Sequence, residues 1–201
     1  MIFEKGYLYH VYNQGNNKQI IFFNRENYLF FLKKVDHYIK PYADILAWCL
    51  MPNHFHLMVL VNEISQGFTP SEALTGTTKF QTCTNRTFND SIGILLRTYT
   101  RAINKANGVT GSLFRKETKA ECINCFKGMK PSFIQSNMLI NNLVNEKQYP
   151  QICFNYIHQN TVKASLVKNA EDWEFSSAMV YSGLRHEKLI NKEIAKEYVD
   201  F

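Results

Sequence analysis

Residues 48–61 read WCLMPNHFHLMVLV and contain the clearest structural signal in the sequence. The runs Asp44–Leu50 and Phe55–Val61 are rich in strand-forming residues, and residues 51–53 (Met-Pro-Asn) between them suit a short hairpin connection. The second run is almost continuously apolar, which indicates burial in the middle of a sheet. We therefore expect an antiparallel pair whose second strand is central.

Two histidines stand at the start of that second strand, with Phe55 between them. Successive side chains of a strand alternate between its faces, so His54 and His56 lie on one face and Phe55 on the other. Both imidazoles can then reach one metal ion while the phenyl ring anchors the strand in the core. Two surface or core histidines would give the same spacing, so the pair alone leaves both interpretations open.

The flanking segments add a strand, two helices and a polar stretch. Residues 7–13 (YLYHVYN) favour a first strand, and the spacing of apolar residues over 25–39 predicts a helix that stops before Pro41. Residues 62–91 are polar and aperiodic, which predicts a long loop: a nucleic-acid contact, a mobile flap or a disordered insertion. Residues 92–106 predict a second helix with Arg97, Arg101 and Lys105 one turn apart.

A later helix is predicted over residues 148–160, where Tyr156 and Asn160 are spaced i, i+4 on one face. In that geometry the amide oxygen of Asn160 can bind an ion while the phenol of Tyr156 stands beside it. A core tyrosine and an asparagine at a helix end would show the same pattern.

Composition limits the classes of function. The 201 residues suit one domain, and the net charge of +6 favours a polyanionic partner. No apolar run is long enough to span a membrane and no signal-peptide pattern is present, so we expect a cytoplasmic protein without a membrane role. The five cysteines are irregularly placed, which favours reduced thiols, including the pair Cys122 and Cys125.

Several blocks of the sequence, taken in order, resemble the single-tyrosine HUH transposases, and most closely the REP-associated tyrosine transposases. The resemblance extends from the first strand to about residue 182. Its blocks are WCLMPNHFHLMVLV at 48–61, RTYTRAIN at 97–104, GSLFRKETKAE at 111–121, YIHQNTVKASLV at 156–167 and WEFSS at 173–177.

The resemblance implies an α+β fold: a ferredoxin-like antiparallel sheet with helices packed on one face and the His pair on a central strand. It implies one domain over residues 1–182, with a long loop at 62–91, and a C-terminal tail over 183–201. By position, His54 and His56 match the family's metal ligands, Tyr156 its nucleophile and Asn160 the residue that completes the metal site. Thr161 stands where the family usually has proline.

The resemblance further implies an enzyme that cleaves and rejoins single-stranded or hairpin DNA through a 5′-phosphotyrosine, with Mg²⁺ or Mn²⁺ as cofactor. Related transposases include homodimers and monomers, and both remain open here. Tyr99 and Phe114 could stack on bases, although core packing is the favoured use. The basic residues expected to contact the DNA backbone are Arg97, Arg101, Lys105, Arg115, Lys116 and Lys119.

Two other functions compete with this interpretation. A domesticated protein could bind hairpins without cutting them, although that role gives no reason to keep all four site residues. A metal-dependent phosphoesterase could use water as its nucleophile, but it would call for more carboxylate or histidine ligands near His54 and His56, and the sequence has no acidic cluster there.

Overall fold

The computed structural model describes residues 2–67, 85–125, 131–132 and 146–201. Within these ranges no helix combines the length and the apolar character needed to cross a membrane. The longest helix has 20 residues and carries charged side chains along its exposed side.

The order of helices and strands is that of an α+β protein. The strands are β1 (Leu8–Gln14), β2 (Ala43–Met51), β3 (His54–Val61), β4 (Ser65–Gly67), β5 (Asn85–Thr87) and β6 (Lys119–Cys122). The α-helices are α1 (Arg25–Tyr38), α2 (Phe88–Asn107), α3 (Tyr149–Lys163), α4 (Ala178–Tyr181) and α5 (Lys192–Ala195). Short 3-10 turns occupy residues 16–18, 146–148 and 170–172.

The main sheet has the strand order β2-β3-β1-β6, and all of its neighbours are antiparallel. With α1 after β1 and α2 between β3 and β6, this is the ferredoxin-like arrangement, and the predicted fold class is confirmed. Strand β3 lies between β1 and β2, so the histidine pair is on a central strand as expected.

Local sequence explains where the two long helices begin and end. The side chain of Asn24 accepts a hydrogen bond from the backbone of Asn27 and caps α1. Thr87 and Asp90 form a capping box at the start of α2, and Gly108 ends that helix in the left-handed region at φ 63°. Buried side chains of both helices share one apolar cluster with Phe55, Leu57 and other residues of the sheet.

The opposite face of the sheet is also covered, which corrects the expected layering. Buried residues of α3, including Cys153 and Ile157, form a second cluster with Met58 and the alternate residues of β2. Helices therefore pack on both faces rather than on one. The physical reason lies in β3, where every residue from Phe55 to Val61 is buried, because a strand that is apolar on both sides needs cover on both sides.

Two predicted boundaries are wrong at their edges. Both ends of the expected loop at 62–91 have secondary structure, because β4 pairs with β5 and α2 starts at Phe88. Residues 68–84 lie outside the described residues. The expected tail at 183–201 packs on the sheet through Ala195 and Val199, which belong to the second apolar cluster.

The prediction of reduced thiols is wrong for one pair. Cys122 and Cys125 form a disulfide across the turn that follows β6. The backbone N–H of Ile123 donates to the carbonyl of Leu8 and holds this turn against β1. Cys49 and Cys153 are free and buried, whereas Cys83 lies outside the described residues.

Candidate active site

The pairing of β1 with β3 builds the floor of the site. Gln14 lies opposite His54, and Tyr12 lies opposite His56. Alternation along β1 puts His10 on the same face as Tyr12, and the rings of His10 and His56 are stacked with centroids 5.1 Å apart. The end of the central strand therefore carries a cluster of polar rings on the face opposite to Phe55.

Both histidines of the expected pair have their Nδ1 atoms engaged. Nδ1 of His54 lies 2.5 Å from Oδ1 of Asn53, and Nδ1 of His56 lies 2.9 Å from Nε2 of His10. Nε2 of His56 is buried and has no hydrogen-bond partner among the described residues. An orphaned ring nitrogen of this kind is unfavourable unless a ligand occupies it.

Burial keeps these imidazoles neutral at physiological pH. It lowers the pKa of His10 to about 3 and that of His54 to about 4. The pKa of His56 is held well below 6.5, first by burial and then by the neighbouring His10 and His54. Neutral imidazole is the form that coordinates metal ions, so the electrostatics suit a ligand role.

Helix α3 carries Tyr156 to the same place. The ring of Tyr156 meets those of His56 and His10 edge-on, with centroids 5.5 Å and 5.8 Å away. Tyr156, His54 and His56 line one cavity of about 260 Å³. The structure thus brings together residues that lie a hundred positions apart in the sequence.

A buried polar contact holds α3 in register with the sheet. Nε2 of His158 lies 2.7 Å from Oγ of Ser177, and that hydroxyl also bonds the backbone N–H and carbonyl of Trp48 on β2. All three residues are buried, so the contact is shielded from water. This contact anchors α3 to the sheet at His158, two residues after Tyr156.

The phenol of Tyr156 is protonated at neutral pH. Burial raises its pKa, the Asn160 amide opposes that shift, and Cys153 and Glu121 add to it. The amide nitrogen of Asn160 is buried and has no hydrogen-bond partner among the described residues, so its effect on Tyr156 comes from proximity. Asn160 therefore stands beside Tyr156 as the i, i+4 spacing requires.

The residues present fit a divalent ion. Each imidazole offers Nε2 while its Nδ1 is held by a neighbour, which is the usual arrangement of histidine ligands. Within the described ranges no group of three or more His, Cys, Asp or Glu side chains could hold a metal ion. An ion at His54 and His56 would therefore need further ligands, such as oxygens from substrate or water. Asn160 is not among the residues that line the cavity shared by the two histidines.

All six of the expected basic residues are exposed and line connected grooves beside this cavity. One groove of about 680 Å³ runs between α2 and residues 109–118, and a second of about 580 Å³ adjoins it. Arg115 and Lys119 lie in the wall of the site cavity itself. The first groove includes Arg97, Arg101, Lys105, Arg115 and Lys116, and the second includes Arg97, Lys116 and Lys119.

Asn13 explains how Arg115 reaches the site. The buried Asn13 amide donates to the carbonyl of Arg115 and to the hydroxyl of Thr118, and the backbone N–H of Arg115 donates to the carbonyl of Gln14. The basic segment is thus tied to the end of β1. By contrast, Tyr99 and Phe114 are buried, which confirms core packing over base stacking for both.

Sequence reasoning missed His10, Tyr12 and Glu121. The hydroxyl of Tyr12 donates to Glu121 at 2.8 Å, and the rings of Tyr12 and His10 are stacked 4.7 Å apart. The one signal in the sequence was the alternation of β1, which puts His10 and Tyr12 on one face. That alternation does not say which strand lies alongside.

Comparison with solved structures supports the fold. The chain is similar to a REP-associated tyrosine transposase solved bound to a REP hairpin, with a TM-score of 0.54 and 16% identity. The match covers 95% of this chain and 92% of that one. Neither a family model nor a curated protein matches the sequence. The expected resemblance is therefore confirmed at the level of the fold.

Proposed function

We propose that this protein is a transposase that cleaves and rejoins single-stranded or hairpin DNA through a phosphotyrosine at Tyr156. One observation carries the proposal: the Tyr156 ring stands 5.5 Å from that of His56, in a cavity whose wall includes Arg115 and Lys119. A nucleophile, a pair of neutral imidazoles and cations suited to a phosphate share one space. The transposase fold of the hairpin-bound neighbour adds support.

His54, His56 and Asn160 would hold a divalent ion, Mg²⁺ or Mn²⁺. When bound, such an ion supplies Lewis-acid polarisation of a phosphate oxygen. Two imidazole nitrogens suit Mn²⁺ better than Mg²⁺, because Mg²⁺ prefers oxygen ligands. Burial of the orphaned Nε2 of His56 supports this assignment, since that nitrogen has no other use among the described residues.

Tyr156 would attack the scissile phosphorus in line. The phenol loses its proton to water as the Tyr156 oxygen bonds to phosphorus, the bond from phosphorus to the 3′ oxygen breaks, and that oxygen takes up a proton. The products are a 5′-phosphotyrosyl enzyme and a free 3′-hydroxyl. A second 3′-hydroxyl can reverse these steps and join a new strand, because the ester conserves the bond energy. The raised pKa of Tyr156 means that charge neutralisation at the phosphate is needed for attack.

The basic grooves would hold the strand on either side of the reacting phosphate. Arg115 lines both the large groove and the site cavity, so a backbone that follows the groove reaches Tyr156. Exposed lysine and arginine side chains bind phosphates without reading sequence. This arrangement supports single-stranded or hairpin DNA as the partner.

The test is a covalent trapping experiment. Purified protein is incubated with labelled, hairpin-bearing single-stranded DNA from its own flanking sequences, with Mn²⁺ or with EDTA, and resolved on a denaturing gel. We expect an adduct that requires the metal and is absent in Tyr156→Phe. Binding without an adduct in any metal would favour a hairpin-binding protein, and cleavage that survives Tyr156→Phe would favour a hydrolase that uses water.

The same assay tests whether the tyrosine acts within its own chain. Tyr156 lies beside His56 of its own chain, and we propose that it acts in cis whether or not the protein dimerises. A mixture of Tyr156→Phe and His54→Ala proteins should therefore form no adduct. Recovery of the adduct in the mixture would instead mean that two copies exchange the helix that carries Tyr156.

A further inference from the structure

A third histidine, His10, occupies the centre of the site without facing its cavity. It is 1% exposed, and its Nε2 lies 2.9 Å from Nδ1 of His56. Its ring also stacks on Tyr12 and meets the edge of Tyr156. The cavity wall contains Tyr12, His54, His56 and Tyr156 but not His10. His10 therefore touches the site residues from behind.

The contact between His10 and His56 allows two arrangements of protons, and a ligand role for His56 selects one of them. A hydrogen bond between two neutral imidazoles needs one N–H and one lone pair. If Nε2 of His56 offers its lone pair to an ion, the single ring proton of His56 must sit on Nδ1. Nδ1 of His56 then donates, and Nε2 of His10 accepts.

We propose that His10 is a positioning residue that fixes the tautomer and the ring orientation of His56, so that Nε2 of His56 faces the ion. The inference rests on the proposed function, because it assigns a partner to one of the proposed metal ligands. The contact between His10 and His56 lies beside the proposed metal site. It joins residues 46 positions apart on the adjacent strands β1 and β3. A partner behind a ligating histidine commonly determines metal affinity.

The experiment compares two replacements of His10. The side-chain amide of Gln can present an oxygen where Nε2 of His10 stands, so His10→Gln keeps the acceptor. His10→Phe keeps a ring against Tyr12 but removes the acceptor, and His10→Leu serves in its place if the Phe protein fails to fold. Mn²⁺ affinity of the DNA-free protein is measured by electron paramagnetic resonance, and the His56 tautomer by long-range ¹H–¹⁵N spectra without metal.

We expect His10→Phe to weaken Mn²⁺ binding about 10- to 100-fold and His10→Gln to stay within about threefold of the wild type. The spectra should show the Nδ1–H tautomer of His56 in the wild type and in His10→Gln, and its loss in His10→Phe. Wild-type affinity and tautomer in His10→Phe would overturn the inference. Equal loss in both variants would also overturn it, because packing would then explain the effect.

Failure of the proposed metal site can be distinguished from failure of the inference about His10. If the wild-type protein binds no Mn²⁺, the metal assignment fails, and the tautomer comparison alone decides the role of His10. A His56 tautomer that follows the acceptor at position 10 supports positioning, whereas one that ignores it refutes positioning.

Discussion

The two faces of the central strand β3 differ in what their buried residues do. On one face, Phe55, Leu57, Val59 and Val61 pack against the cluster that includes α1 and α2. On the other face, Met58 and Leu60 pack beneath α3, but the strand begins with His54 and His56. One face is apolar along its whole length, whereas the other changes from apolar to polar at the end nearest the cavity.

This difference shows how a small fold separates stability from chemistry. The apolar face needs no polar partner, and its aromatic rings pack closely, as with Phe31 and Phe55 at 5.1 Å. The polar end of the other face satisfies some of its buried atoms with His10 and Asn53 and leaves Nε2 of His56 unsatisfied. Substitutions on the two faces should therefore affect different properties.

The largest expected effect is on stability, from Phe55→Ala. Removing this buried ring leaves a cavity between α1 and the sheet and should cost about 3–5 kcal/mol in the free energy of unfolding, measured by urea denaturation. The adjacent change His54→Ala is the matched control, because its side chain is only partly buried. It should change stability by less than about 1 kcal/mol. A large loss of stability in His54→Ala would contradict the division between the two faces.

His54→Ala should instead affect activity, measured as adduct formation in the trapping assay. Losing the partner behind a ligating histidine costs about 10- to 100-fold, so losing the ligand His54 itself should reduce the rate of adduct formation by at least about 100-fold. Adduct formation by His54→Ala at the wild-type rate would remove His54 from the metal site.

Acid should lower the free energy of unfolding through the buried histidines. Burial lowers the pKa of His10 to about 3 and the pKa values of His54 and His158 to about 4. An unfolded histidine titrates near 6.5, so the unfolded chain takes up protons first as the pH falls. The stability from these groups is complete above pH 6.5 and is lost as the pH falls to about 4 for His54 and His158 and to about 3 for His10. Each should account for about 2 kcal/mol between pH 7 and pH 5.

Urea unfolding of metal-free protein at pH 7 and pH 5 measures this loss. His158→Gln can keep a bond to Ser177 and should reduce the pH dependence by the share of one histidine. Equal stability at the two pH values would mean that these histidines are not buried as neutral groups.

The smallest expected effect is on DNA affinity, from a substitution in the basic grooves. Lys116 lines both large grooves and is exposed, so Lys116→Ala should weaken DNA binding a fewfold and reduce the slope of log affinity against log salt by about 1. Lys33→Ala removes the same charge from the exposed side of α1 and is the control. Filter binding over a series of salt concentrations compares the two. Equal slopes for both variants would show that the groove does not hold the phosphate backbone.

Signals that depend on a few neighbouring residues were readable from the sequence. The hairpin after Leu50, the alternation that separates His54 and His56 from Phe55, and the helix that carries Tyr156 all follow from local periodicity and turn chemistry. The start of α2 was missed: the helix was predicted from residue 92, although Thr87 and Asp90 form a capping box within the polar segment. The disulfide was not readable, since one CxxC pair is compatible with either redox state.

Local sequence patterns were therefore sufficient to predict the antiparallel strands and to nominate His54, His56 and Tyr156, which share one cavity. Three features became visible only in the folded chain: α3 covers the second face of the sheet, His10 lies behind His56, and Arg115 is part of the cavity wall. The physical reason is that these contacts join residues far apart in the chain, 46 positions for His10 and His56 and 102 for Asn13 and Arg115. Strand register and packing fix such contacts, and local periodicity carries no information about either.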